Sequence, residues 1–161
     1  MQPLTFQTAQ QPRPQPVGID VVSKLRHFAI ITYAVEPARL AGLFPPRFAL
    51  DTITVDGQTK GLLSVVPFID VDFTAAVYPF PTFTMGQTNY RLYVTDTATG
   101  EHCVWFLGTV LDSWTVAVPR YLWRLPWHPG RIRFDCDVDE ANGRYRQYTM
   151  HTKAAWAPAR V

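Results

Sequence analysis

Proline is the residue that most constrains this chain. Fourteen prolines are spread through 161 residues, against nine glycines; that is about 9% proline where roughly 5% is average. A proline has no amide N–H and a fixed φ, so it belongs in first helical turns, sheet edges, bulges and loops. An all-helical bundle is therefore disfavoured, and short elements must do the work. The chain is 47% hydrophobic and only 17% charged, with five Trp, seven Tyr and ten Phe. A chain of this length buries roughly 70% of its unfolded surface, so it folds without a metal or disulfide staple. Two cysteines, Cys103 and Cys136, make neither a disulfide framework nor a zinc site. A net charge of +2 with no lysine or arginine run argues against nucleic acid as a partner. No stretch approaches the ~18 consecutive apolar residues of a membrane span. The N-terminus has no apolar segment of the kind a signal peptide needs, so the expected compartment is the cytoplasm.

Residues 1 to about 17 hold four prolines and five glutamines, with Arg13 the only charged side chain. Residues 1–18 are expected to be a disordered tail that buries nothing. The domain is expected over 19–161. Residues 26–33 read as a strand, and Glu36-Pro37-Ala38-Arg39-Leu40 opens a short helix with proline in its first turn. Two strands, 50–55 and 61–69, flank Asp56-Gly57, a hairpin turn. Residues 87–95 alternate: Gln87, Asn89, Arg91 and Tyr93 fall on one face, Thr88, Tyr90, Leu92 and Val94 on the other. A strand at 102–111 is apolar on both faces and should be covered on both. A short helix fits 119–124. Residues 131–139 alternate again, with Ile132, Phe134, Cys136 and Val138 inward, and the chain returns along 144–152. Seven or so hairpin-connected strands with two short helices describe an antiparallel sheet or barrel.

Two stretches carry polar groups of interest. Asn89 and Arg91 share a strand face; inside a barrel, an arginine would need a ligand carboxylate or an acidic partner, and its fork suits carboxylates. A solvent-exposed face explains the same polarity equally well. The second stretch is Pro119-Arg120-Tyr121-Leu122-Trp123-Arg124-Leu125-Pro126-Trp127-His128-Pro129-Gly130. Aromatic walls with a few polar groups suit a small-molecule pocket; a helix capping a barrel end with Trp123 and Trp127 is the plainer alternative. No phosphate loop, dinucleotide fingerprint, zinc-protease motif or nucleophile elbow is present. The four histidines show no metal-ligand spacing.

Together, Leu43-Phe44-Pro45, Ser64-Val65-Val66-Pro67-Phe68, Thr88-Asn89-Tyr90-Arg91-Leu92-Tyr93-Val94, Val104-Trp105-Phe106 and Leu125-Pro126-Trp127-His128-Pro129-Gly130-Arg131 resemble the YqjF-like family of uncharacterised bacterial proteins. That family shares the acetoacetate decarboxylase-like fold. The resemblance implies a mainly β, antiparallel, cone-shaped barrel around a cavity. The enzyme that names the fold forms an imine on a lysine whose pKa a second lysine depresses, in a segment Gly-Arg-x-x-Trp-Gly-x-Pro-Lys-Lys. Here Arg120, Trp123 and Pro126 match, but Trp127 and His128 stand at the lysine positions. Family members also continue beyond Val161, which leaves the last barrel strands either missing or supplied by a partner subunit.

The expected function is thus a barrel that binds a small, acidic organic molecule without imine chemistry and without a cofactor or metal. Arg91 and Arg120 would hold the anion, Asn89 orient it, and Trp123 and Trp127 form apolar walls. His128 is the candidate acid–base group. A lyase or hydrolase using His128 and a non-catalytic interaction protein are the alternatives. A homodimer or larger assembly is expected, because natural sheets rarely leave edges bare.

Overall fold

The computed structural model describes residues 15–18, 20–122 and 124–161, without the side chains of Val118 and Pro119. Residues 1–14, most of the expected tail, lie outside the described residues. In chain order the elements are β1 (Val21–Arg26), β2 (Ile31–Val35), α1 (Pro37–Leu40), β3 (Phe48–Leu50), β4 (Thr52–Val55), β5 (Gln58–Ala75), β6 (Phe83–Asp96) and β7 (His102–Leu111). A 3₁₀ turn (Trp114–Val116) and α2 (Ala117–Leu122) follow, then β8 (Trp127–Pro129), β9 (Arg131–Asp139), β10 (Arg144–Lys153) and β11 (Ala159–Arg160). The protein is mainly β, with two short helices among the described residues. Among the described residues, no helix is long and apolar enough to cross a membrane.

β5 and β6 are the spine. β5 pairs with β1 and β2 on one edge and with β6 on the other. β4 joins β5 on the β6 edge, since Gly61 pairs with Val35 of β2 and with Thr52 of β4; β3 pairs with β6, and β7 then β8 extend the sheet beyond it. The single strand expected over 26–33 is two strands, and Pro67 supplies the reason. Its carbonyl accepts from Ala29 N at 3.1 Å, so in an antiparallel ladder its missing N–H faces that same edge. Pairing fails there, between Ile31↔Val65 and Arg26↔Ile69. His27 turns the chain across the gap with φ +50. The Asp56-Gly57 turn is as expected, with φ +50 and +73, the type I′ geometry that matches strand twist.

Two further expectations are corrected. The sheet is not closed into a barrel: β1-β5-β6-β7-β8 is an open path, and β9, β10 and β11 form a separate antiparallel sheet of three. The pairing is not wholly antiparallel either, since β8 runs parallel to β7. The chain between them passes through the 3₁₀ turn and α2, and a parallel return requires such a crossover.

The small sheet covers one face of the large one. Ile132 and Met150 pack on Val65, Tyr90 and Val110. A second core gathers Leu40, Leu92 and Val94 with Phe44, Phe48 and Trp105. Contact between the sheets is close enough that a Cβ on Gly108 would lie 2.5 Å from the Trp156 ring and would have to push it aside. Polar groups seal the seam. Tyr90 OH donates to the Ala157 carbonyl at 2.7 Å, Thr88 and Thr152 hydroxyls pair at 2.8 Å, and Tyr148 OH donates to the His27 carbonyl at 2.8 Å.

Candidate binding face on the large sheet

The opposite face of β6 carries Met85, Gln87, Asn89, Arg91 and Tyr93, as period-2 alternation requires. Pairing adds neighbours from each side: Phe68, Val66 and Ser64 on β5 lie opposite Gln87, Asn89 and Arg91. On β7, Leu111, Thr109 and Phe106 lie opposite the same three residues. Thr109 and Phe106 are three apart, so simple alternation would put them on opposite faces. A bulge between Tyr90 and Arg91 in the β6–β7 register brings both to this one. Leu107 is the extra residue, and it packs toward both cores.

Gln87, Asn89, Phe106, Thr109, Leu125, Pro126 and Trp127 line a cavity of about 300 Å³. Trp127 reaches it because β8 pairs Trp127 with Thr109, and its ring is seated on Met85, Leu111 and Val116. Asn89 is 8% exposed. Its Oδ1 accepts from Gln87 Nε2 and from Thr109 Oγ1, both at 2.8 Å. That commits the amide oxygen and leaves the Nδ2 hydrogens as donors.

Arg91 stands next along the strand. Its Nε is buried with no hydrogen-bond partner among the described residues, and none of their ion pairs includes it. The nearest polar cluster on this face is neutral: Ser64 Oγ pairs with Thr32 Oγ1 at 2.7 Å and with Tyr93 OH at 2.9 Å. Asp70 lies on the same face of β5, but six residues from Ser64, or roughly 20 Å along a strand. Its carboxylate accepts from Ser23 Oγ at 2.7 Å, and burial pushes its pKa up.

Of the residues singled out from the sequence, the structure brings Asn89 and Trp127 together at the cavity, while Arg91 stands two residues from Asn89 on the same strand face, opposite Phe106, and is not among the residues that line it. Trp123 lies outside the described residues. Arg120 is half-buried with its guanidinium 5.7 Å from the Tyr121 ring centre and does not line the cavity. His128 turns the other way from Trp127, toward the small sheet, and stacks on Trp156 with centroids 4.4 Å apart and planes 5° apart. Burial, and then the Arg120 charge, hold its imidazole below the usual value. The other histidines are scattered: His27 beside Tyr145, His102 paired with Asp51, His151 on β10. Gln87, Thr109 and Phe106 are additions. The first was visible in the alternation, whereas the other two depended on the β6–β7 register.

The three lysines lie elsewhere. Lys24 pairs with Asp72 and Lys60 with Glu36, and Lys153 is exposed on β10.

Comparison with known structures identifies the architecture. The acetoacetate decarboxylase of Legionella pneumophila subsp. pneumophila str. Philadelphia 1 superposes with a TM-score of 0.59 at 17% identity, over 94% of this chain and 54% of that one. The enduracididine biosynthesis enzyme MppR, in its complex with pyruvate, superposes with a TM-score of 0.52 at 12% identity, over 80% of this chain and 50% of that one. The chain thus spans about half the length of these structures, and at such identities the likeness is one of fold. Comparison with curated proteins finds no match. The family DUF2071, described as "Uncharacterized conserved protein", matches residues 23–160. This chain therefore belongs to the DUF2071 family, on an acetoacetate decarboxylase-like fold.

Proposed function

We propose that the chain binds a small organic acid on the face built by β5, β6 and β7, with no imine step. The observation that carries this reading is Arg91, whose Nε is buried without an acceptor. A buried N–H donor left without an acceptor is costly, and a ligand carboxylate placed over β6 would remove that cost through a charge-assisted fork. Asn89 Nδ2 would donate to the same ligand, Thr109 and Gln87 hold the amide in place, and Trp127 and Phe106 wall the apolar side. MppR, which shares the fold, has been crystallised with pyruvate, an acid of the size a cavity of about 300 Å³ admits.

Trp127 and His128 occupy the positions where the resemblance places the paired lysines, and neither forms an imine. Lys24 and Lys60 are engaged by carboxylates. His128 has no part in the reading, because its ring is stacked on Trp156 on the other face of β8. Arg120 is reserved for an outer role, if the acid is long enough to reach it. A homodimer belongs to the same proposal, since β8 ends the large sheet with an unpaired edge among the described residues; light scattering at micromolar concentration should give a mass above the monomer.

Calorimetry with pyruvate tests the site. Arg91→Met should weaken binding by at least ~1.5 kcal/mol, the lower end for a hydrogen bond to a charged group, which is about tenfold. Unchanged affinity would move the site elsewhere. Incubation with acetoacetate and borohydride should leave the intact mass unaltered; a reduced adduct on one lysine would show imine chemistry after all.

A further inference from the structure

The outer face of the small sheet concentrates positive charge. β9 and β10 pair so that Arg131 lies opposite Lys153 and Arg133 opposite His151, and β11 sets Arg160 beside His151. Residues two apart on a strand share a face, so all five side chains point away from Ile132 and Met150, and all five are exposed. The ion pairs among the described residues involve none of them; Arg146, farther along β10, is the arginine of this sheet that Asp137 and Asp139 engage. Asp135 is the acidic residue at the margin, opposite Thr149 and already accepting from Gln147 Nε2 at 3.3 Å. Arg131, Arg133, Asp135, His151 and Lys153 are among the residues that line a depression of about 580 Å³.

Like charges directly across a strand pair destabilise a sheet. Here Arg131 faces Lys153 across one row, and in the next Arg133 and Arg160 stand on either side of His151, with rows roughly 7 Å apart and strands roughly 5 Å apart. Four basic side chains outside the ion pairs among the described residues, Arg131, Arg133, Lys153 and Arg160, thus share one small grid in a chain whose net charge is only +2. The grid is two rows deep, too short to track a nucleic-acid strand, and it lacks the exposed rings on which bases stack: Phe134, at its base, packs on Tyr148. Arginine forks and a lysine point charge are the side chains that hold phosphoryl oxygens.

We propose that this face binds a compact anion carrying two or more phosphoryl groups, one over the Arg131–Lys153 row and the other over the Arg133–His151 row. The site is separate from the face that holds Arg91. Inorganic tripolyphosphate is the probe, titrated calorimetrically into the intact chain at low ionic strength, with orthophosphate alongside. Tripolyphosphate should bind at least tenfold more tightly than orthophosphate, because it engages both rows. Arg133→Gln and Lys153→Gln should each weaken it about tenfold while Arg91→Met leaves it unchanged. Both substitutions are at exposed positions, and thermal unfolding of each variant should be unaltered or slightly improved as repulsion is relieved. Failure of tripolyphosphate to bind at millimolar concentration, binding no tighter than orthophosphate, or binding indifferent to both substitutions would overturn the proposal; the first two outcomes need no variant.

Discussion

The two faces of β6 show how one strand is divided between stability and recognition. Thr88, Tyr90, Leu92 and Val94 look toward the packed side, where every one is buried and every polar atom has a named partner. Gln87, Asn89, Arg91 and Tyr93, interleaved with them, look toward an open concavity, and there a guanidinium Nε is buried with nothing to accept its hydrogen. The backbone is shared, so the contrast lies in the side chains. On a face that only supported the fold that donor is a pure cost, because it is buried with no acceptor. Its retention next to a pre-oriented amide is the physical argument for a ligand.

Substitutions on the two faces should separate these roles. The largest effect is expected at Leu92, which is 0% exposed in the second core: Leu92→Ala should cost ~2–5 kcal/mol in denaturant unfolding and leave ligand affinity unchanged in whatever protein remains folded. A loss below the effect of Asn89→Ala would break the division. Tyr90→Phe comes next. Its hydroxyl holds the Ala157 carbonyl, and burial pushes its pKa up to about 12, so it stays a neutral donor; removing it should cost ~1 kcal/mol, the usual net value of such a bond. The smallest effect sharpens the comparison through pH. Burial, only partly offset by the Ser23 hydroxyl, raises the Asp70 carboxyl above its usual 3.8. A raised folded pKa means stability falls as pH rises from about 3.8 through the folded value. Asp70→Asn should therefore melt slightly above the parent at pH 7, and that advantage should fade as pH is lowered toward 4. An advantage that instead grows toward acid would contradict the sign.

Much of this fold is legible in the amino-acid sequence, and the failures share one cause. Alternation places Asn89 and Arg91 together, and Asp56-Gly57 announces its hairpin, because both depend on residues adjacent in the chain. The break at His27 depends on Pro67, forty positions away, and shows only once β5 is known to present that edge to β1 and β2. Phe106 joins Thr109 through a bulge, which no count of period two discloses. His128 follows from a chain-local hint, a titratable ring beside aromatic neighbours, whereas its direction is set by the parallel pairing of β8 with β7 and by Trp156 arriving from beyond β10. Barrel closure comes with the family resemblance rather than from the residues, and the described strands form an open sheet.

The central claim is that Arg91 is held at a cost to the fold for the sake of a bound carboxylate, and one thermal-unfolding comparison tests it. The parent and Arg91→Met are each melted with and without saturating pyruvate. Methionine matches the stem of arginine without its charge, so the free variant should melt at or above the parent temperature, and pyruvate should raise the parent's Tm by mass action while leaving the variant's unmoved. A variant that melts well below the parent and still responds to pyruvate would show that Arg91 serves the fold and not a ligand.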